Sequence, residues 1–154
     1  MFFQIEGGGA YQSLYGFSAI TRGASVGADL ELKPFALTIL GSFAYGPLNM
    51  GVPNASFDML HVGVESDIVG RIGIFRIGAG AGFGALALSS VTRDAAPIGF
   101  TLDPSILMSV DFLTFGEDKK SAIYLGAKLR AAIVLASDAT PVVWGPNGVL
   151  GLRL

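Results

Sequence analysis

The ionisable side chains of this chain are sparse and evenly spaced. Asp29 stands two residues before Glu31, His61 precedes Glu65 and Asp67 by four and six, Asp103 precedes Asp111 by eight, and Lys128 precedes Arg130 by two. Even spacing puts such residues on one face of an extended strand, where successive side chains alternate. Glu6, Arg76 and Arg153 complete the set. The chemistry it invites is acid–base or metal-binding work centred on His61, the only histidine, with Glu65 two pleats away. The rest of what such chemistry needs is absent: there is no His-Glu-x-x-His spacing, no cysteine, and no serine set beside His61 by sequence. Gly78-x-Gly80-x-Gly82 mimics a phosphate loop, yet it lies inside a strand and opens no helix. The expectation is no catalytic, cofactor or metal residue, and a shared face of charges with another purpose.

Eight stretches of period 2 hold those charges, each roughly 9 to 12 residues long, the span of a tilted membrane-crossing strand. Residues 3–12 set Phe3, Ile5 and Tyr11 against Gln4, Glu6 and Gln12, and 24–32 set Val26, Leu30 and Leu32 against Asp29 and Glu31 before a turn at Lys33-Pro34. Residues 35–45 carry no charge. In 60–68, Leu60, Val62, Val64 and Ile68 oppose His61, Glu65 and Asp67, and Val69-Gly70-Arg71 reads as the following turn. Residues 75–84 oppose Phe75, Ile77 and Phe83 to Arg76 and a ladder of Gly78, Gly80, Gly82 and Gly84. Residues 100–112 place Thr101, Asp103, Ser105, Ser109 and Asp111 on the polar face. Pro104 falls on the apolar one, where its missing N–H predicts a bulge. Residues 123–133 hold Tyr124, Lys128 and Arg130 on the polar parity, and 144–154 hold Asn147 and Arg153. Within these spans no charge falls on the apolar parity.

Which face meets solvent follows from composition. Only 14% of residues are charged and 51% are apolar, too little polar surface to wrap a water-soluble globule of this size. The longest charge-free run, 34–57, is broken by glycine, proline and asparagine, so no spanning helix is predicted. The other way to satisfy every backbone amide in lipid is a closed barrel. One domain covering 1–154 is expected. The formal net charge of −2 and the absence of a basic cluster exclude a nucleic-acid footprint. Met1 is followed by Phe-Phe-Gln-Ile-Glu without a basic start or apolar signal core, so an export signal is expected to have been removed before this numbering.

Connection lengths and aromatics bear on the same reading. Segments 12–21, 46–57, 89–97 and 136–141 are the longer connections, in odd positions, and two of the three even ones are tight; the third lies near Glu117-Asp118-Lys119-Lys120. Phe3, Phe35, Phe75 and Phe112 fall near one rim of the apolar face, and Tyr11, Phe43, Tyr45, Phe83, Phe100 and Trp144 near the other. Barrels that cross a membrane carry such girdles.

With its even strand count, connection lengths, girdles and closing run Val149-Leu150-Gly151-Leu152-Arg153-Leu154, the chain resembles the small eight-stranded bacterial outer-membrane β-barrels over essentially its whole length. The family's last strand commonly ends in an aromatic residue; this one ends in Leu154. The resemblance implies an all-β, eight-stranded antiparallel up-and-down transmembrane barrel in the bacterial outer membrane. It also implies partners in the lipid bilayer, lipopolysaccharide and other envelope proteins.

In that architecture the polar parity faces inward. One cluster of Glu6, Asp29, Glu31 and Arg153 is expected, with Glu65 and Asp67 beside Arg76, and Lys128 and Arg130 within reach of Asp103 or Asn147. As a salt-bridged plug, these charges leave the barrel a non-enzymatic structural, adhesive or envelope-complex component, whose loops at Leu48, Asn49, Met50, Val52, Asn54, Arg93 and Asp94 carry any recognition. Two alternatives stay open. The carboxylate excess suits a narrow cation-favouring pore, and small barrels of this kind include lipid-modifying enzymes, although no outward His, Asp or Glu lies within the spans.

Overall fold

The computed structural model describes residues 1–14, 17–49, 56–90, 93–116, 121–135 and 142–154, with the side chains of 14, 56, 90 and 93–98 outside that description. Its strands are β1 (Phe2–Leu14), β2 (Phe17–Leu32), β3 (Phe35–Asn49), β4 (Ser56–Ile72), β5 (Phe75–Ser90), β6 (Arg93–Leu102), β7 (Ser105–Phe115), β8 (Ser121–Leu135) and β9 (Val142–Arg153). They form one antiparallel sheet in the order β4-β3-β2-β1-β9-β8-β6-β5-β7, and the β4–β5 and β8–β7 pairings close it into a ring.

β6 and β7 make a single stave, so the nine strands are eight staves. Gly82 and Asp103 exchange both backbone hydrogen bonds, at 3.0 and 2.9 Å, and the Ala131 amide donates to the Pro104 carbonyl at 3.1 Å. The register runs on unchanged from Phe83↔Leu102 to Gly80↔Ser105 on one side, and from Leu102↔Ile133 to Ser105↔Arg130 on the other. The bulge expected at Pro104 is therefore absent. A proline there forfeits one ladder donor, the one that would reach the Ala131 carbonyl, without needing an extra residue. The irregularities lie at Leu86/Ala87, Leu88/Ser90 and Asp111/Leu113.

Stepping across paired residues from Phe3 through Ala28, Ile39, Ser66, Ala81, Pro104, Ala131 and Trp144 returns to β1 at Ser13, a stagger of ten residues. Closure with such a stagger tilts the staves by roughly 40°. A 16-residue strand such as β2 then rises roughly 40 Å, beyond the roughly 25 Å of an apolar band.

This length corrects the loop boundaries. Segments 12–21, 46–57 and 89–97 are largely strand, because β1–β2 pairing continues to Leu14↔Phe17, β3–β4 to Asn49↔Ser56 and β5–β6 to Ser90↔Arg93. The turn placed at Val69-Gly70-Arg71 lies at Gly73-Ile74, where Gly73 takes φ 62°, and β4 continues to Ile72. Leu48, Asn49, Arg93 and Asp94 stand in strands. Met50, Val52, Asn54, 117–120 and 136–141 lie outside the described residues.

The parity holds around the ring. Val64, Ile68, Ile77, Ile106 and Leu125 are each at least half exposed on the outer face, and all ten girdle aromatics also point outward. No helix among the described residues is long and apolar enough to cross a membrane. A surface this apolar is out of place in water and at home in hydrocarbon, where only a closed sheet or a helix satisfies its own backbone.

Candidate functional site: the barrel interior

Interior polar groups are arranged in layers, from the end that holds both termini to the end away from them. Nearest the termini, Arg153 Nη2 reaches Asp111 Oδ2 at 2.8 Å, and Arg71 Nη2 approaches the same oxygen at 3.2 Å. Arg76 Nη2 donates to Asp29 Oδ2 at 2.6 Å across the lumen, and the Thr38 hydroxyl donates to the other oxygen of Asp29. The Arg76 guanidinium lies 5.8 Å from the Tyr124 ring centroid, a cation–π distance. Above it, Tyr124 Oη and Gln4 Nε2 both donate to Glu6 Oε1 at 2.7 Å.

At mid-height Lys128 Nζ donates to Glu65 Oε1 at 2.7 Å and to Asp67 Oδ2 at 2.6 Å, and Ser105 Oγ donates to Asp67 Oδ1 at 2.8 Å. Higher still, Arg130 Nη2 lies 2.6 Å from Asp103 Oδ2. His61 Nε2 lies 3.1 Å from that same oxygen and 3.1 Å from Thr101 Oγ1. These charges are buried, Asp67 at 1% and Asp103 at 0% exposure, and burial on this scale is tolerated only where charges are paired and hydrogen-bonded.

Inward glycines make the space. A Cβ at Gly80 would collide with Asp67, at Gly82 with Glu65, and at Gly84 with His61, so the β5 ladder lets the β4 acids and imidazole lie flat across it. Gly151 does the same for the Tyr124 ring.

Beyond Asp103 the interior changes character. Ala19, Leu48, Met59, Leu86, Ala132, Val134 and Val143 form a buried apolar cluster, with Phe17, Phe57 and Leu88 packed against it. All seven sit at the strand ends away from the termini. Along the β1–β2 wall, beside the Glu65–Lys128 pair, lies a cavity of about 70 Å³ bordered by Glu6, Gln12, Thr21, Glu65, Lys128 and Arg130. A second, of about 110 Å³, is bordered at the other end by Asp29, Glu31, Lys33, Arg71, Arg76 and Arg153.

The pairing differs from what strand heights predict. Of the expected cluster Glu6 stands apart, meeting Tyr124 and Gln4, whereas Asp29, Glu31 and Arg153 border one cavity, at which Asp29 meets Arg76 and Arg153 meets Asp111. Glu65 and Asp67 take Lys128 in place of Arg76. Of the proposed partners of Arg130, Asp103 is the one it contacts. Asp29–Arg76 and Glu65–Lys128 each join staves three apart in the ring, where the ten-residue stagger sets which residues share a height, while Arg130 and Asp103 stand on adjacent staves.

Tyr124, Gln4, Thr38, Thr101 and Ser105 complete the network, and all five lie on the polar parity already visible in sequence. Arg71 escaped because its strand was ended too early. His61 is held by Asp103 and Thr101 just below the apolar cluster, and no group of three or more His, Asp or Glu suited to a metal ion occurs among the described residues.

No family model matches the chain, and no curated protein does so either. Solved structures do. Neisserial surface protein A is similar with a TM-score of 0.66 at 14% identity, over 99% of this chain and 95% of that one. The outer membrane protein OprG from Pseudomonas aeruginosa follows at 0.55 and 12% identity, over 99% and 95%. Ail, the attachment invasion locus protein of Yersinia pestis, scores 0.52 at 15% identity, over 99% and 97%; it has also been solved with the heparin analogue sucrose octasulfate. The chain has the fold of the small eight-stranded outer-membrane β-barrels.

Proposed function

We propose that this chain is an integral protein of the bacterial outer membrane, one barrel domain over 1–154, with a plugged lumen and a non-enzymatic structural, adhesive or envelope-complex role. The observation that carries the reading is the double obstruction of the interior. Ion pairs join separate walls of the ring at Asp29–Arg76 and at Glu65 and Asp67 with Lys128, Asp103–Arg130 lies above them on adjacent staves, and the apolar cluster around Met59, Leu86 and Val134 occupies the end beyond. An ion crossing that path would have to break buried pairs and then shed its water among apolar side chains. Both are steep barriers. The burial of His61 between Asp103, Thr101 and the cluster supports the non-enzymatic part, since a lipid substrate has to meet any catalytic group directly.

Function then resides on the outer surface and on the end away from the termini, where strands run past the apolar band. The attachment named in Ail, and its complex with a sulfated sugar, are precedents for an adhesive role there. Lipopolysaccharide and neighbouring envelope proteins are the proposed partners.

Planar-bilayer recording with purified, folded protein tests the reading. Silence is expected for the native chain. Discrete cation-selective steps altered by Glu65→Gln or Asp103→Asn would refute the plug and favour the pore.

A further inference from the structure

Charge is almost absent from the outer face of the ring. Among the described side chains, Arg22 of β2 and Asp58 of β4 are the two strand charges on the lipid-facing parity, the first between Ile20 and Ala24 and the second next to Leu60 on that face. Asp58 accepts from the Tyr45 hydroxyl at 2.6 Å. Arg22 is exposed, and among the described residues no hydrogen bond or ion pair reaches it. It stands within the aromatic girdle away from the termini, paired with Tyr45 of β3 and with Gly9 of β1, and Tyr11, one pleat beyond Gly9, is its diagonal neighbour. Diagonal neighbours lie about 7–8 Å apart, within reach of long side chains. Tyr11 is 55% exposed and its hydroxyl is likewise without a partner among the described residues. Gly9 puts no side chain between the two. A cation on an apolar face extends its head to the membrane interface, where it meets headgroup anions.

We infer that Arg22 and Tyr11 form a binding site on the outer wall for a phosphate of an outer-leaflet glycolipid, the lipid A part of lipopolysaccharide. The planar guanidinium can take two phosphate oxygens as a fork, and the Tyr11 hydroxyl is placed to donate to a third. Asp58 does not compete for the guanidinium: it is two strands away and engaged by Tyr45. A lipid is favoured over a free ion because one exposed guanidinium holds an ion in water weakly. Acyl chains lying along Ala24, Val26 and Phe43 of the same outer face keep a lipid's phosphate at this height. The inference rests on the reading of the chain as an outer-membrane barrel, and gives the lipopolysaccharide proposed there as partner a place to bind.

The test is titration of the folded protein in detergent micelles with diphosphorylated lipid A, followed by the fluorescence of Trp144, which lies on the outer face and pairs with Ser13, two residues beyond Tyr11. A saturable change is expected. Arg22→Gln should weaken binding about tenfold, the value of a charge-assisted contact, and lipid A stripped of its phosphates should bind the native chain equally weakly. Tyr11→Phe, which keeps the ring in the girdle and serves if the first variant fails to fold, should weaken binding less. Equal affinity of the native chain and both variants overturns the inference. So does saturation by inorganic phosphate at the same concentrations, or phosphatidylglycerol binding as tightly as lipid A, which would make Arg22 an anchor for any anionic lipid. Failure to insert into lipid vesicles would refute the membrane reading, and current across a bilayer the plug. Inserted, silent barrels that bind both forms of lipid A alike would refute the phosphate site alone.

Discussion

Removing the ammonium of Lys128 should be among the costliest single changes this barrel can suffer. Lys128 is buried, and its Nζ holds Glu65 and Asp67 at 2.7 and 2.6 Å. Taking one partner from a buried pair costs about 3–5 kcal/mol, because an uncompensated charge is left behind. Here two carboxylates are stranded, so Lys128→Met belongs at the upper end, about 5 kcal/mol. Most of that cost is desolvated charge rather than lost contact. Adding Glu65→Gln and Asp67→Asn to Lys128→Met should therefore recover most of the loss, since neutral replacement of a whole buried ion set is often close to neutral. Ser105 Oγ, 2.8 Å from Asp67 Oδ1, still finds an acceptor in asparagine. Urea unfolding in lipid vesicles measures both, read by Trp144, the only tryptophan, which is 55% exposed on the outer face. A loss below about 1 kcal/mol for Lys128→Met, the value of an exposed pair, would refute the reasoning and mean that mid-lumen charges are solvated as at a surface.

Three further outcomes follow from named contacts. Val64→Lys, on the outer face of β4, should cost about 2–4 kcal/mol if that face meets hydrocarbon; an unchanged urea midpoint would contradict a lipid-facing band. Pro104→Val supplies the missing donor opposite the Ala131 carbonyl and should stabilise by about 1 kcal/mol, with slowed amide exchange at the new N–H as its signature. Gly151→Ala drives a methyl into the Tyr124 ring, whereas at the outward Gly7 the nearest atom to an added Cβ is 4.0 Å away. The first should lower the unfolding midpoint sharply, and Gly7→Ala should leave it level or raise it by up to about 1 kcal/mol.

Parity was legible in the sequence because lipid outside and a filled lumen inside impose opposite chemistries on alternate residues. Every ionisable residue from Glu6 to Arg153 that the pattern turned inward lies inside the ring or, like Glu31, at its mouth. Partnership was not legible. That Asp29 meets Arg76, or Lys128 meets Glu65, depends on the ten-residue stagger, which is a property of the whole ring and is written in no single strand. Strand ends were misjudged for a related reason. Beyond the lipid-facing band the outer face no longer has to be apolar, so the alternation fades while the ladder continues, and the inward Ala19, Leu48, Met59 and Leu86 were left out. The glycine ladder was visible, but its use, to seat the carboxylates and imidazole of β4, needed the β4–β5 register.

The cross-lumen pairs have a consequence for how the chain reaches its native state. Hairpins such as β3–β4 and β4–β5 can zip by local contacts, since their partners are close in sequence. Lys128 with Glu65 and Tyr124 with Glu6, by contrast, join residues 63 and 118 positions apart, and neither can form until facing walls have come together. Non-local contacts of that kind reward the chain only after the entropy of closing long loops has been met. Until then each buried ion must keep its water or a proton, and a half-wrapped sheet cannot carry naked charges into hydrocarbon. Insertion and ring closure are thereby coupled, and the late-forming ion pairs should act as a latch that slows unfolding more than it speeds folding.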